Sequence, residues 1–411
     1  MDIKPKYKLF EVTGVELEYM IVDRDSLRIK PIADVLMYDK SGRYAADIEN
    51  GEIEWSNELV NHIIELKTHL PVTRLDQTAE HFHKNITEIN KLLEKHNAML
   101  MPTAAHPFMD PYTETTLWKH DFSEIYDLYN KIFDCKGHGW SNLQSMHLNL
   151  PFSDDEEFAR LHAAIRLVLP IIPALTASSP LLDGELTGWA DSRMEAYLHH
   201  QEIMPSFMGR LIPEPIYSED DYNLKIFYPI KQDIAPFDQH KIMEHHFLNS
   251  RGAIARFDRG AIEIRVIDTQ ECPSADIAVA ALINEVIKTI VNEKWAKFRY
   301  QSIWKEDDLY VIFKKVIKDG DYTLIGDGTY LRMFGLKENE ITALELWKYL
   351  LKNTCDKIDK KYQTILNFII ENGNLSSRII KSLNNALTLE KIKVTYKELS
   401  NCLKENRLFR A

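Results

Sequence analysis

Three short stretches, far apart in the chain, set polar side chains two residues apart between apolar neighbours. They are Gly14-Val15-Glu16-Leu17-Glu18-Tyr19, Met146-His147-Leu148-Asn149-Leu150 and Ala261-Ile262-Glu263-Ile264-Arg265-Val266. A β-strand sends alternate side chains to opposite faces, so each stretch predicts a strand with one apolar and one polar face. If the three strands share a sheet, one face becomes a floor of carboxylates, an imidazole and a guanidinium. Carboxylates grouped in this way suit magnesium or manganese better than zinc, which prefers Cys and His. Magnesium usually works beside phosphate groups, so the chemistry indicated is nucleotide-driven.

The individual residues sharpen this reading. Glu16 and Glu18 share one strand face, and two charges about 4 Å apart repel by roughly 4 kcal/mol at an effective dielectric of 20, so a cation is expected nearby. Glu58 and Glu65 bracket the strand-like run Leu59-Val60-Asn61-His62-Ile63-Ile64. Their odd spacing puts them on opposite faces of a regular strand, so both reach one site only through a bulge or bend. His147 offers an imidazole to a metal, and Asn149 an amide to orient a substrate. Glu263 and Arg265 repeat the geometry, although the two can also satisfy each other as a structural ion pair. Arg251, Arg256 and Arg259 lie just upstream, and guanidinium forks fit phosphate oxygens. The chain has no Gly-x-x-x-x-Gly-Lys-Ser/Thr loop, and no Gly-x-Gly-x-x-Gly follows a strand. If ATP binds, metal ions and arginines must therefore hold its phosphates.

Helices are needed to cover the apolar faces of these strands. Val279, Leu282, Ile283, Val286, Ile287 and Ile290 recur at three and four, which predicts a helix over 274–290 behind Pro273 and a capping Ser274. Phe82, Ile86, Ile89 and Leu93 predict another over 75–96, and 158–169 reads as a third. Pro102, Pro107 and Pro111 punctuate one loop, and Pro205, Pro213, Pro215, Pro229 and Pro236 a second. Loops of that length in a compact protein often act as lids or binding loops. The chain up to about residue 275 mixes strand and helix patterns, and from about 276 to 411 it is helical in period. With no repeat or flexible linker, residues 1–411 read as a single catalytic domain.

Composition excludes several classes. The chain has 411 residues, 45% of them hydrophobic, and no run approaches the roughly 20 apolar residues of a membrane span. Its opening, Met1-Asp2-Ile3-Lys4-Pro5-Lys6, has no apolar signal segment, so cytoplasm is the expected location, with no membrane partner. The four cysteines have no Cys-x-x-Cys spacing and read as buried thiols. A net charge of −12 argues against nucleic acid as a partner.

Seven motifs occur in the order found in glutamate–cysteine ligases. They are the Glu16-Leu17-Glu18 strand, Ile64-Glu65-Leu66-Lys67-Thr68, Ala105-His106-Pro107-Phe108, His147-Leu148-Asn149, Ala177-Ser178-Ser179-Pro180, Ser192-Arg193-Met194-Glu195 and Glu263-Ile264-Arg265-Val266-Ile267-Asp268-Thr269. From about residue 11 to about 290 the chain resembles that family, above all its shorter bacterial carboxylate-amine ligase group. The resemblance implies an α+β fold of the glutamine synthetase and guanidino kinase type, with a curved antiparallel sheet, the active site on its concave face and helices on its convex face. It implies ATP and two or three Mg²⁺ ions, with Mn²⁺ an alternative, and small-molecule substrates, glutamate and cysteine by default. It also implies a γ-glutamyl phosphate intermediate, and association into homo-oligomers is common in the fold. Carried over by position, Glu16, Glu18, Glu58, Glu65, His147 and Glu263 are the expected metal ligands. Arg265 faces the transferred phosphoryl group and acts with Glu263 in catalysis, and Arg256 and Arg259 join Arg265 at ATP. Arg193, Asn149 and His106 meet the substrate. The chain departs from the family in having Glu58 where a shorter acid is usual, and no glycine before His106. Three alternatives share the floor: a ligase of the same mechanism with a different amine or carboxylate substrate, a guanidino kinase, which would need a reactive thiol such as Cys272, and a nucleotide-binding protein without catalysis.

Overall fold

The computed structural model describes residues 6–384 and 386–411, with side chains except at 245 and 246. Residues 1–5, read above for a signal segment, lie outside them. The period-two stretches form strands because alternation lets each bury one face. The first is β1 (Gly14–Asp23), followed by β2 (Asp47–Asn50), β3 (Ile53–Asn57), β4 (Ile63–Thr68) and β5 (Ala98–Met101). The second signature stretch is β6 (Ser145–Pro151), and the third follows β7 (Ala253–Arg256) as β8 (Ala261–Asp268). Together they form an eight-stranded sheet in the order β2-β3-β4-β1-β6-β8-β7, with β5 also on β1. Every pairing is antiparallel. One edge of β1 carries β4, and the other carries β6 along its first half and β5 along its second.

Register sorts the two faces. Glu16 lies opposite Lys67 on one side and His147 on the other, Glu18 opposite Glu65, and Glu263 opposite Asn149. These side chains share one face, and the alternate set, including Val15, Leu17, Tyr19, Leu66, Leu148 and Ile264, is fully buried on the other. That apolar face is covered by α1 (Thr78–Leu93), α3 (Asp155–Val168) and α5 (Pro273–Val291), while α2 (Ser123–Phe133) stands on the polar side. The predicted helices are therefore present, with α3 starting three residues early because Asp154 caps it by accepting a hydrogen bond from Glu157 N. The stretch Asp155–Thr176 is long and apolar enough to cross a membrane by composition, yet its apolar window is 89% buried in the protein.

Two expectations change. The run Leu59–Ile64 is not one strand: residues 58–62 form a turn between β3 and β4, which supplies the bend that Glu58 and Glu65 require. The second proline-rich loop is partly helical, since Glu219–Ile234 winds through a π-helical turn at Asn223–Phe227 and Pro229 opens the next helical segment, where its missing N–H is tolerated.

Downstream lie α4 (Ser192–Tyr197), which joins the site, and the helices α6 (Glu306–Asp319), α7 (Ala343–Thr354) and α8 (Lys360–Asn372). The last pair, α9 (Leu375–Leu383) and α10 (Leu389–Glu405), has a different job. Leu375, Ile379, Ile392, Tyr396 and Leu399 cluster with Met20, Val22 and Met101. Met20 and Val22 continue the parity of Glu16 and Glu18, so α9 and α10 cover the functional face where it turns apolar. A buried ion pair pins them there: Arg378 and Glu271 are 1% and 0% exposed, with Arg378 Nη2 3.2 Å from Glu271 Oε2. Phe409 joins the pair through both its N–H and its carbonyl.

Candidate active site

The register of β1, β6 and β8 brings His147 to the centre of the floor. Its Nδ1 lies 2.9 Å from Glu16 Oε2 and 3.6 Å from Glu263 Oε1. Its Nε2 lies 2.9 Å from Ser145 Oγ and 3.9 Å from Glu18 Oε1. Ser145 holds Glu18 in turn, donating to Oε2 from its backbone N–H at 2.7 Å and its hydroxyl at 3.1 Å. Asn149 donates to Glu16 Oε1 at 3.0 Å, and Arg265 Nε to Glu263 Oε1 at 2.7 Å. Two groups of three result, Glu16–His147–Glu263 and Glu18–Glu65–His147, each with ligand atoms within 4.8 Å of one another. A bulge in β8 between Ile264 and Ile267 shifts the register against β6 and places Asp268 opposite Ser145.

Charge on this floor is out of balance. Burial and the charge of Glu18 push the Glu58 carboxyl up to about 7. Burial, then Glu16 and Glu58, push Glu65 well above the usual carboxylate range. Burial would also raise Glu16, but the hydrogen bond and charge of His147, with Arg259 and Lys67, bring it down to about 2. His147 is raised in return: burial favours its neutral form, but its hydrogen bond to Glu16 and the charges of Glu16 and Glu263 together outweigh that. Lys67 lies 3.1 Å from Glu54, 3.2 Å from Asp47 and 3.6 Å from Glu65, so its charge is shared among three acids. Buried carboxylates that ionise poorly for want of positive charge, beside one imidazole, form the donor set of a hard divalent cation. The residues present therefore fit Mg²⁺ or Mn²⁺.

A cavity of about 600 Å³ opens above Glu18, Glu58, Glu65, His147 and Arg265. Its far wall comes from α2, α4 and the segment 242–252. Arg193 also lines it, but the guanidinium is already held: Nε donates to Asp268 Oδ1 at 2.6 Å, and Nη1 and Nη2 lie 3.3 and 3.4 Å from the Arg265 carbonyl. Glu16, Asn149 and Glu263 carry the polar face on towards Arg256, whose Nη1 is 3.9 Å from Glu263. Arg256 is mainly clamped on Asp258, at 2.9 and 3.1 Å, and half-exposed Arg259 lies 3.9 Å from the same acid.

Two expectations are not met. His106 lines no part of the cavity; it is fully buried, its Nε2 bonds the Leu27 carbonyl at 2.8 Å, and its Nδ1 accepts from Phe108 N. Arg251 is neutralised by Glu214 through bonds of 2.6 and 2.7 Å, so the upstream arginines carry less surplus charge than their count implies. The sequence reading also missed Ser145, Lys67 and Asp268. The first two were within reach, because each is two residues from a recognised site residue on the same strand.

Comparison with known proteins agrees with this geometry. Residues 12–315 match the family described as glutamate-cysteine ligase family 2. A protein of Archaeoglobus fulgidus described as "Uncharacterized protein" is 29% identical over 399 residues, covering 96% of this chain and 99% of its own. A Cronobacter sakazakii protein named "Putative glutamate--cysteine ligase 2" is 20% identical over 384 residues, 89% of this chain and 94% of that one. The solved structure of a Francisella tularensis glutamate–cysteine ligase in complex with AMP superposes with a TM-score of 0.67 at 12% identity, over 98% of this chain and 90% of that one. At that identity the likeness speaks for the fold, an antiparallel sheet with helices, as expected above. With the match extending from before β1 to α6, the chain belongs to glutamate-cysteine ligase family 2.

Proposed function

We propose that this chain is an ATP- and Mg²⁺-dependent carboxylate–amine ligase that activates the γ-carboxylate of glutamate as γ-glutamyl phosphate and joins it to an amine, cysteine being the amine of the family's name. One observation carries the reading: Glu16, Glu18, Glu65, His147 and Glu263 converge on one face beside Arg265. Glu16, His147 and Glu263 would hold one cation and Glu18 and Glu65 another, with Glu58 at the cavity side. A cation held there supplies charge neutralisation for phosphoryl oxygens. Arg265 is tethered to Glu263 only through Nε, and its terminal nitrogens have no hydrogen-bond partner among the described residues, so they can meet the transferred phosphoryl group. Arg256 lies beside Glu263, and Arg259 beside Asp258, on the side assigned to ATP, and Asn149 fixes the Glu16 carboxylate. Arg193, locked by Asp268, holds the Arg265 backbone and turns its remaining surface to the glutamate. In the second step the amine lone pair forms the C–N bond, the acyl C–O bond breaks with its electrons leaving on phosphate, and the amine loses one proton to water. The walled cavity protects the acyl phosphate from hydrolysis.

The guanidino kinase alternative loses its thiol. Cys272 is fully buried at the start of α5, lines no part of the cavity, and is pushed well above the ordinary thiol range by burial and the charge of Glu271. The test is to incubate the protein with ATP, Mg²⁺ and glutamate, vary the amine, and follow ADP together with product mass. ADP release that needs both glutamate and an amine, with an amide product, is expected. ADP release indifferent to glutamate would refute the reading.

A further inference from the structure

Resting on that reading, we infer that the amine subsite is built for an amine with an aryl or comparably flat apolar body, larger than cysteine. The wall facing the carboxylate floor is made by α2, α4 and the turn of residues 138–141. It presents Tyr129, Trp140, Tyr197 and His200 as one aromatic surface, with Tyr129 5.7 Å from Trp140, Trp140 4.7 Å from His200 and Tyr197 4.1 Å from His200 between ring centroids. The polar tips of this surface are engaged with backbone carbonyls. Tyr129 Oη donates to Phe247 O at 3.1 Å, Trp140 Nε1 to His200 O at 3.0 Å, and Tyr197 Oη to Ser250 O at 3.1 Å. What remains for a ligand is ring surface and His200 Nε2, since His200 Nδ1 already faces the Tyr197 carbonyl; ring surface recognises flat apolar groups by offset or edge-to-face contact.

Packing keeps the wall rigid. A Cβ on Gly139 would come within 2.7 Å of both Ala196 O and His200 Cβ, so the 138–141 turn lies directly on α4 only because that residue has no side chain. The cavity of about 600 Å³ takes in both the carboxylate floor and this wall, so the amine shares it with the glutamate. A short side chain such as the CH₂–SH of cysteine covers little of this surface. Glu18, Asp47, Glu58 and Glu65 line the opposite side, so an amine whose body lies on the rings has its nitrogen turned to the floor where the carboxylate is activated.

The experiment compares 2-phenylethylamine, cysteine and ethylamine as acceptors with ATP, Mg²⁺ and glutamate, reading kcat/KM from ADP and amide mass. Direct binding of each amine is followed by tryptophan fluorescence. The expected result is a kcat/KM for 2-phenylethylamine at least about tenfold above both others, the discrimination an apolar pocket supplies. Trp140→Leu is expected to narrow the ratio of 2-phenylethylamine to ethylamine to below about threefold. Equal or better turnover of cysteine or ethylamine overturns the inference and leaves the ligase reading standing. Preferential binding of 2-phenylethylamine without any glutamate-dependent ADP release supports the aromatic subsite and refutes the ligase reading instead.

Discussion

Arg378→Met tests what holds the C-terminal helices over the functional face. In the protein the Arg378 guanidinium donates twice to Glu271, once to the Phe409 carbonyl at 2.9 Å and once to the Gly373 carbonyl at 3.2 Å, all in a fully buried setting. Removing it leaves the Glu271 carboxylate buried beside an unmatched Phe409 carbonyl, a change that costs about 3–5 kcal/mol. Unfolding entropy near 2.1 cal/mol/K per residue gives about 0.9 kcal/mol/K for a chain of this length, so the melting temperature should fall by about 4–6 °C. The double variant Glu271→Gln with Arg378→Met removes the stranded charge and should recover more than half of that loss. Circular dichroism melts of the three proteins supply the numbers, and hydrogen exchange should locate the added opening in α9 and α10. A loss under 1 kcal/mol in the single variant, or no recovery in the double one, would refute the reasoning.

Three further outcomes follow from the site and its core. Glu263→Gln replaces a charged cation ligand with a neutral amide and weakens the tether of Arg265, so amide formation should drop by about 10²–10³-fold in kcat while the melting temperature holds within a few degrees; near-normal turnover would remove Glu263 from the chemistry. His162 is buried, and burial with the charge of Arg166 lowers its pKa to about 3, so the folded protein keeps it neutral while the unfolded chain protonates it below about 6.5. Its contribution is complete above pH 6.5 and declines as pH falls towards 3, which gives about 1.5 kcal/mol of lost stability between pH 6.5 and 5 that His162→Phe should abolish in urea titrations at the two pH values. Gly139→Ala forces a methyl group onto Ala196 O and should lower stability by about 1–3 kcal/mol, raising KM for the amine more than it changes KM for ATP.

How far the sequence reached is set by local regularity. The strands around Glu16, His147 and Glu263 were legible because period-two alternation is both a local signal and the rule that aligns side chains across an antiparallel sheet. The long helices were legible for the matching reason at period 3.6. Asp268 escaped because the β8 bulge breaks parity, so its place opposite Ser145 cannot be counted from Glu263. Arg251 was misjudged because its partner, Glu214, lies 37 residues upstream, beyond any local pattern. His106 sits in a motif of the family, yet its nitrogens are taken by the Leu27 carbonyl and the Phe108 N–H, which no spacing reveals. The aromatic wall is assembled from α2, the 138–141 turn and α4 with the residues after it, and two of its polar tips, those of Tyr129 and Tyr197, point at the carbonyls of Phe247 and Ser250, so only tertiary structure brings it together.

In the proposed enzyme, separate strands deliver their acids and one imidazole to shared cations. Mn²⁺ binding followed by electron paramagnetic resonance, with a non-hydrolysable ATP analogue present, reads that directly. The wild-type protein should bind at least two Mn²⁺ ions displaceable by Mg²⁺, and Glu16→Gln and Glu65→Gln should each weaken binding at least about tenfold, the loss of one charged ligand. Equal Mn²⁺ binding by the wild-type protein and both variants, or none by any of them, would contradict it.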